Sequence, residues 1–188
     1  AASIDGAAPS NGITRESITI SAADTSTITS NGGAASLAFA VAGSGAVTLS
    51  IGVALAENTI GSNVAAYISG ASNNVESRSG GIALSATNTM AIDASTTAAS
   101  VAASFGTTGV ALSGAGAEAT NVILGSTLAY IEDTHVISAG NVSINAVNSA
   151  TVEATIVSVA ASAAVGSTGV GAAIGVAIAR NYIGWERD

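Results

Sequence analysis

The chain has no cysteine and no lysine, one proline, and only two Phe, three Tyr and one Trp among 188 residues. Without cysteine there can be no disulfide staple, thiolate metal site or thiol nucleophile, and the chain is compatible with either side of a membrane. Without lysine, its only side-chain cations besides His135 are Arg15, Arg78, Arg180 and Arg187, against twelve carboxylates and a net charge of −8. Nucleic-acid binding needs a cationic stripe to neutralise phosphates, so this balance argues against it, and it disfavours anionic lipid as well. Charged residues make up 9% of the chain, where an average soluble protein carries about 25%. The single proline, Pro9, suits continuous sheet. Scarce aromatics beside 22 glycines and many alanines imply a thin core. Disorder is excluded by composition, because 48% hydrophobic residues with so little charge is the reverse of a disordered profile.

What is present is repetition. Asn141-Val-Ser-Ile144 matches Gly81-Ile-Ala-Leu84 sixty positions earlier, and that segment matches Ser17-Ile-Thr-Ile20 sixty-four positions earlier. The sixty-residue offset also relates Ala163–Gly169 to Ala103–Gly109 and Asn181-Tyr-Ile183 to Asn121-Val-Ile123, while Ala129-Tyr-Ile131 repeats Ala66-Tyr-Ile68 at sixty-three. Repetition at a fixed period marks an array whose units complete their cores against neighbours. The approximate units are 17–80, 81–140 and an incomplete 141–188, with 1–16 as the tail of a preceding one. The segment Ala2-Ser-Ile4-Asp5 looks like a strand arriving from that unit, and Trp185 to Asp188 falls where the next such strand should begin. The expectation is a piece of a much longer protein.

Alternation sets the local structure. Val47, Leu49, Ile51, Val53 and Leu55 occupy one phase, and Thr48, Ser50, Gly52, Ala54 and Ala56 the other. Period two is a strand. The preceding run alternates Leu37, Phe39 and Val41 with alanines and ends in Gly43-Ser44-Gly45, which predicts a long antiparallel hairpin with Gly in its turn. Units two and three repeat it around Gly106-Thr-Thr-Gly109 and Gly166-Ser-Thr-Gly169. Short strands at Ser17–Ala22, Thr25–Thr29 and Val64–Ile68 are expected to flank the hairpin, with corners at Ser72-Asn-Asn74 and Ser79-Gly-Gly81. The fold expected is therefore all-β, a tandem-repeat antiparallel architecture stacked as an elongated sandwich, roll or solenoid. Its small-residue face should meet a closely approaching neighbour and its Val/Leu/Ile face should fill an interior. Gly114, Gly116 and Glu118 replace Ile51, Val53 and Leu55 in unit two, which predicts a peripheral or bulged strand end.

This pattern of strand, Asx turn, Val/Ala/Gly run around Gly-Ser-Thr-Gly, then Asn-x-Ile and Ala-Tyr-Ile resembles the tandem β-domain repeats of giant bacterial exoproteins of the haemagglutinin-like, haemolysin-like or leukotoxin-like kind. The resemblance implies an extracellular or cell-surface fibre of many units, serving adhesion or cell-to-cell contact. It carries over no binding residue.

Candidate sites are few. His135, the only histidine, lies in Ile131-Glu132-Asp133-Thr134-His135, where a base or metal ligand beside two carboxylates competes with a solvated turn histidine. The equivalent turn in unit one, Ser69-Gly70-Ala71, has neither acid nor imidazole, which favours the turn. Glu132, Asp133 and Asp5 are the calcium candidates, although no Asp-x-Asp-x-Asp-Gly loop and no Gly-Gly-x-Gly-x-Asp nonapeptide occurs. Asn73, Asn74 and His135 are candidates for a shallow glycan- or surface-binding site. Asp24, Asn88 and Asn148 recur at matching positions and are expected to bond their own turns. The uncharged 154–179 stretch is long enough for a membrane helix, but its period is two and Gly-Ser-Thr-Gly interrupts it, so no membrane insertion is expected. An outer-membrane barrel would show aromatic girdles and a polar lumen, neither of which is visible. The sequence thus points to a structural module without catalysis or cofactor, whose partners are neighbouring repeats and, at most, another cell's surface or its glycans.

Overall fold

The computed structural model describes residues 1–6 and 12–184, so Pro9 and the 185–188 segment lie outside the described residues. Ten strands account for nearly all of it, and no helix occurs among the described residues. Four strands stack as β1 (Ala2–Asp5), β4 (Gly45–Ser69), β7 (Thr108–Glu132) and β10 (Thr168–Ile183). A second sheet stacks β3 (Ile18–Val41), β6 (Ile82–Phe105) and β9 (Val142–Val165). The third is short, β2 (Ile13–Arg15), β5 (Val75–Ser77) and β8 (Val136–Ser138).

Every pairing is parallel. This overturns the antiparallel hairpin architecture. The two long arms of each repeat do not bond to each other: β3 pairs with β6, and β4 with β7. Each repeat is an arch, closed at its tip by Ala42–Ser44, Gly106-Thr107 or Gly166-Ser167, with its two arms facing each other through side chains. The arches stack as rungs of a parallel solenoid, whose hydrogen bonds run along the stacking direction.

In-register stacking explains why the repeats resemble one another. Parallel pairing sets Ile18 beside Ile82 and Val142, and Asn58 beside Asn121 and Asn181. The short runs expected at 17–22, 25–29 and 64–68 are parts of continuous strands of 24 and 25 residues. Gly114, Gly116 and Glu118 likewise lie in an unbroken ladder, so the expected bulge is absent; those residues point outward.

The solenoid is a wedge. At its broad end the short sheet separates the two long ones, and Ile68, Val75, Ile82 and Leu84 are fully buried there with Ile18, Ile20 and Val64. Toward the tip the inward positions shrink to Ala, Ser and Gly, such as Ala54, Ala98, Ala115 and Ala117. The arms come so close that a Cβ on Gly52 would lie 2.6 Å from the Ala99 carbonyl oxygen. Serines fill part of this narrow interior: Ser36 and Ser50 hydroxyls are 2.7 Å apart, as are those of Ser100 and Ser113, and Ser100 also donates to the Ser50 carbonyl at 2.8 Å.

The small-residue face therefore is closely approached, as expected, but from the facing arms of its own and the next repeat. The large face is outside. Leu37 is 77% exposed, Val47 74% and Leu55 70%, which corrects the expectation that the Val/Leu/Ile face fills an interior. Two sheets held this close admit few branched side chains between them, with Thr48 and Thr96 buried there and Ile156 packed against the alanines, so alternation sends most of the large apolar ones outward on both sides.

Candidate functional site

The sequence candidates converge on one corner, where the long strands end and the chain turns into the short sheet. Parallel pairing aligns Asp5, Ser69 and Glu132 in one column at the ends of β1, β4 and β7. Ser69 stands between the two carboxylates, so they lie two rungs apart, about 9.6 Å. Asp133 follows Glu132 with a left-handed φ of 46°, and the preceding rungs put Gly70 (φ 61°) and Gly6 (φ 78°) at the same corner. Asp tolerates that conformation better than most residues, which gives Asp133 a turn-forming role. Among the described residues no group of three or more His, Asp and Glu side chains is placed to hold a metal ion.

His135 meets its own column rather than a carboxylate. Its Nδ1 lies 2.9 Å from the Asn74 side-chain oxygen, an exposed contact bridging the first two corners. The Thr134 hydroxyl accepts the Ala71 amide hydrogen and donates to the Glu132 carbonyl, closing the same turn. Asn73 sits beside Asn74 in the first of these corners. The structure thus brings Asn74 and His135 together, and it does not bring Asp5, Glu132 and Asp133 together as ligands.

Next to this corner stands a feature that the Ala-Tyr-Ile repeat signalled without its purpose being evident. Tyr67 and Tyr130 stack with ring centroids 5.0 Å apart and planes 3° from parallel. The Tyr67 hydroxyl donates to Asp5 at 3.3 Å. Partial desolvation raises the Tyr130 phenol pKa, and the neighbouring Tyr67, Glu132 and Asp5 add to the shift. A stacked phenol pair with Asp5 and Glu132 nearby offers an aromatic edge bordered by carboxylates.

Two polar columns lie inside the solenoid. Asn58 donates to Asn121 at 2.7 Å and Asn121 to Asn181 at 2.8 Å, while Asn58 also reaches Ser30 across the arch at 2.9 Å. Asp24, Asn88 and Asn148 form the second column, in mid-strand and facing inward, so they do not serve the turns expected of them. Asp24 accepts hydrogen bonds from Ser62 at 2.6 Å and Ser26 at 2.8 Å, which hold its carboxyl below the usual value. One rung down, Gly125 takes the place of Ser62, and the fully buried Asn88 amide has no partner. A depression of about 590 Å³ is bordered by Ser21, Asp24, Ser26, Ser62 and Asn63 on the first rung.

No helix among the described residues is long and apolar enough to cross a membrane. No protein-family model, no curated protein and no solved structure matches this chain.

Proposed function

We propose that the chain is a structural and adhesive repeat module of a very large bacterial cell-surface or secreted protein, contributing to a fibre that makes cell-to-cell or cell-to-surface contact. The observation that carries this reading is the in-register parallel stacking, in which each rung completes its interior against the next. Such a body is nearly one-dimensional, so length is added by adding rungs. Its role is to extend and to present surface, with no catalytic step and no cofactor. Beads coated with the 188-residue chain should adhere to bacterial or host cells above a bare-bead control, and small-angle scattering should give an elongated particle. Coated beads that behave like bare ones on every surface tried would remove the adhesive part. A compact sphere in scattering would remove the structural part.

A second reading rests on the Tyr67–Tyr130 stack with its Asp5 partner and, separately, on the exposed Asn74–His135 contact. Aromatic faces ringed by hydrogen-bonding groups suit sugar rings, and this edge makes a shallow glycan-binding site the alternative. A glycan array probed with the chain and with its Tyr130→Ala variant separates the two, since a blank array at high concentration eliminates the alternative.

A further inference from the structure

Both ends of the stack are open. On the first rung β3 and most of β4, and on the third β9 and β10, are hydrogen-bonded along one side only. β3 and β9 are each 24 residues long. Nothing blunts them, since lysine is absent, Pro9 is the sole proline and the ladder has no bulge. Long flat edges of this kind are templates for another strand.

The two ends fit each other. Continuing the register by one rung sets β3 of a second copy on β9 and its β4 on β10, with Ile18 beside Val142 and Ile60 beside Ile183. The first and third rungs match where the middle one departs: Ile51, Val53 and Leu55 correspond to Ile174, Val176 and Ile178, with Gly114, Gly116 and Glu118 between them. Like then stands beside like at the joint. Inside, the ladder of Asn58, Asn121 and Asn181 runs on into Asn58 of the next copy. At the broad end β10 covers β7 as far as Ile123, and Ala129–Glu132 has no third-rung partner among the described residues. β1 supplies one: it stands a rung ahead of β4 on the equivalent Ala66–Ser69, so in a second copy it falls beside Ala129–Glu132.

Charge favours the same joint. Glu57, Thr120 and Arg180 share a column, so Arg180 of one copy meets Glu57 of the next. Asn148, in the column of Asp24, brings an amide donor to that carboxylate. One like-charged contact arises, Glu132 beside Asp5, and both are exposed, where salt screens them.

We infer that the third rung of one chain binds the first rung of a second copy, head to tail, so that all three sheets continue through the joint. Such a contact is heterologous and does not close, and it therefore gives filaments rather than dimers. An edge of 24 residues at about 3.3 Å is roughly 80 Å long, and two sheets about 10 Å apart with their outer side chains make it roughly 15 Å wide. The joint covers about 1,200 Å² per copy and about 2,400 Å² in all, above the standard size of a specific interface. The inference extends the stacking on which the proposed fibre rests and is separate from its adhesive role. Coated beads that fail to adhere leave it standing, and chains that fail to associate leave the bead result unaffected.

Sedimentation velocity and negative-stain electron microscopy on the 188-residue chain should show linear oligomers that lengthen with concentration, with Kd per joint on the order of 1 µM. Proline can block either end separately. Ile18 donates its N–H to Gly81 on the second rung, and Asn141 and Val165 turn their carbonyls to that rung, so by alternation Thr27 in β3 and Ala154 in β9 turn their N–H groups to the free edges. Thr27→Pro and Ala154→Pro thus spare the internal ladders. Each alone should stay monomeric where the parent polymerises, with unchanged circular dichroism, and an equimolar mixture should give a dimer and nothing longer. Cysteines test the joint should either proline variant fail to fold. Ile51→Cys and Ile174→Cys, introduced in separate chains that otherwise lack thiols, come about 4.8 Å apart at the joint, within disulfide range. The mixture should cross-link under mild oxidation, and neither alone should. A parent chain still monomeric at about 100 µM, homodimers of either proline variant, or equal cross-linking from one cysteine variant by itself would each overturn the proposal.

Discussion

The broad end and the tip of the wedge use the same alternation with opposite contents. At the broad end the inward phase is Ile, Leu and Val, and the outward phase is polar or small, as at Thr19, Ser21 and Ser69. Toward the tip the inward phase is mostly Ala, Ser and Gly, with Thr48, Thr96 and Ile156 among them, and the outward phase is rich in Val, Leu, Ile and Phe. The reversal falls near Asn58 and Ser30, which bond across the arch. What changes between the two regions is the separation of the sheets. Where the short sheet props them apart there is volume for branched side chains, and burying each contributes about 1.5 to 3 kcal/mol. Where the arch closes them, branched side chains go outside and their transfer energy is forgone, while small side chains let backbones and hydroxyls meet. Phe39 and Phe105 recover part of that loss on the outer surface, with ring centroids 5.3 Å apart.

The strongest test of this contrast pairs two truncations. Ile82→Ala removes a fully buried side chain at the broad end and should destabilise by about 2 to 5 kcal/mol. Leu49→Ala removes one that is 63% exposed near the tip and should stay within about 0.5 kcal/mol. Urea denaturation of both would break the comparison if the costs were similar. The reverse experiment enlarges the tip interior: Ala98→Leu puts a branched side chain where exposure is 0% and should cost about 1 to 3 kcal/mol. A neutral result in thermal melts would mean the arms can separate, and the narrow interior would no longer explain the outward leucines. At the boundary, Asn121→Ala breaks the Asn58–Asn121–Asn181 ladder and should cost about 1 to 3 kcal/mol, the range for stranding buried polar groups. Amide hydrogen exchange should then open first around β4 and β10.

Much of this was legible in the sequence, and the part that was not has a definite cause. Matching residues such as Asn121 and Asn181 revealed the register, because parallel in-register stacking puts like beside like. Strand content and the glycine-bearing tips followed from period two. Pairing direction did not, because Val47 to Leu55 alternates identically whether its arm bonds to the other arm in one sheet or faces it across an arch. The inward face was misassigned for a related reason: the rule that large apolar residues go inside assumes a gap wide enough to hold them, and Gly52 against Ala99 shows how narrow it is there. At the candidate corner, the repeated Ala-Tyr-Ile marked equivalent positions without indicating that their tyrosines stack, and the Asn74–His135 contact joins two of the loop candidates. Asp5 and Glu132 share a column two rungs apart with Ser69 between them, an alignment that depends on the pairing direction.

Asp24 offers the smallest and most selective test, because it is a carboxylate on the inward phase just to the broad side of the reversal. Ser62 and Ser26 donate to its carboxylate, so its folded pKa lies below the ordinary value of 3.8. A depressed folded pKa means the charged form is favoured by folding. The stabilisation is therefore fully present above the unfolded value, near pH 4, and is lost as pH falls through the lower folded value. Thermal melts from about pH 7 to pH 2 should show the parent chain losing more stability below pH 4 than Asp24→Asn does, with the two curves parallel above pH 5. Ser62→Ala should flatten the acid limb in the same way, since it removes the largest contribution to the shift. If both variants keep the full acid loss, the serine-held carboxylate is not what stabilises this column, and the unpartnered Asn88 one rung below becomes its typical member rather than its exception.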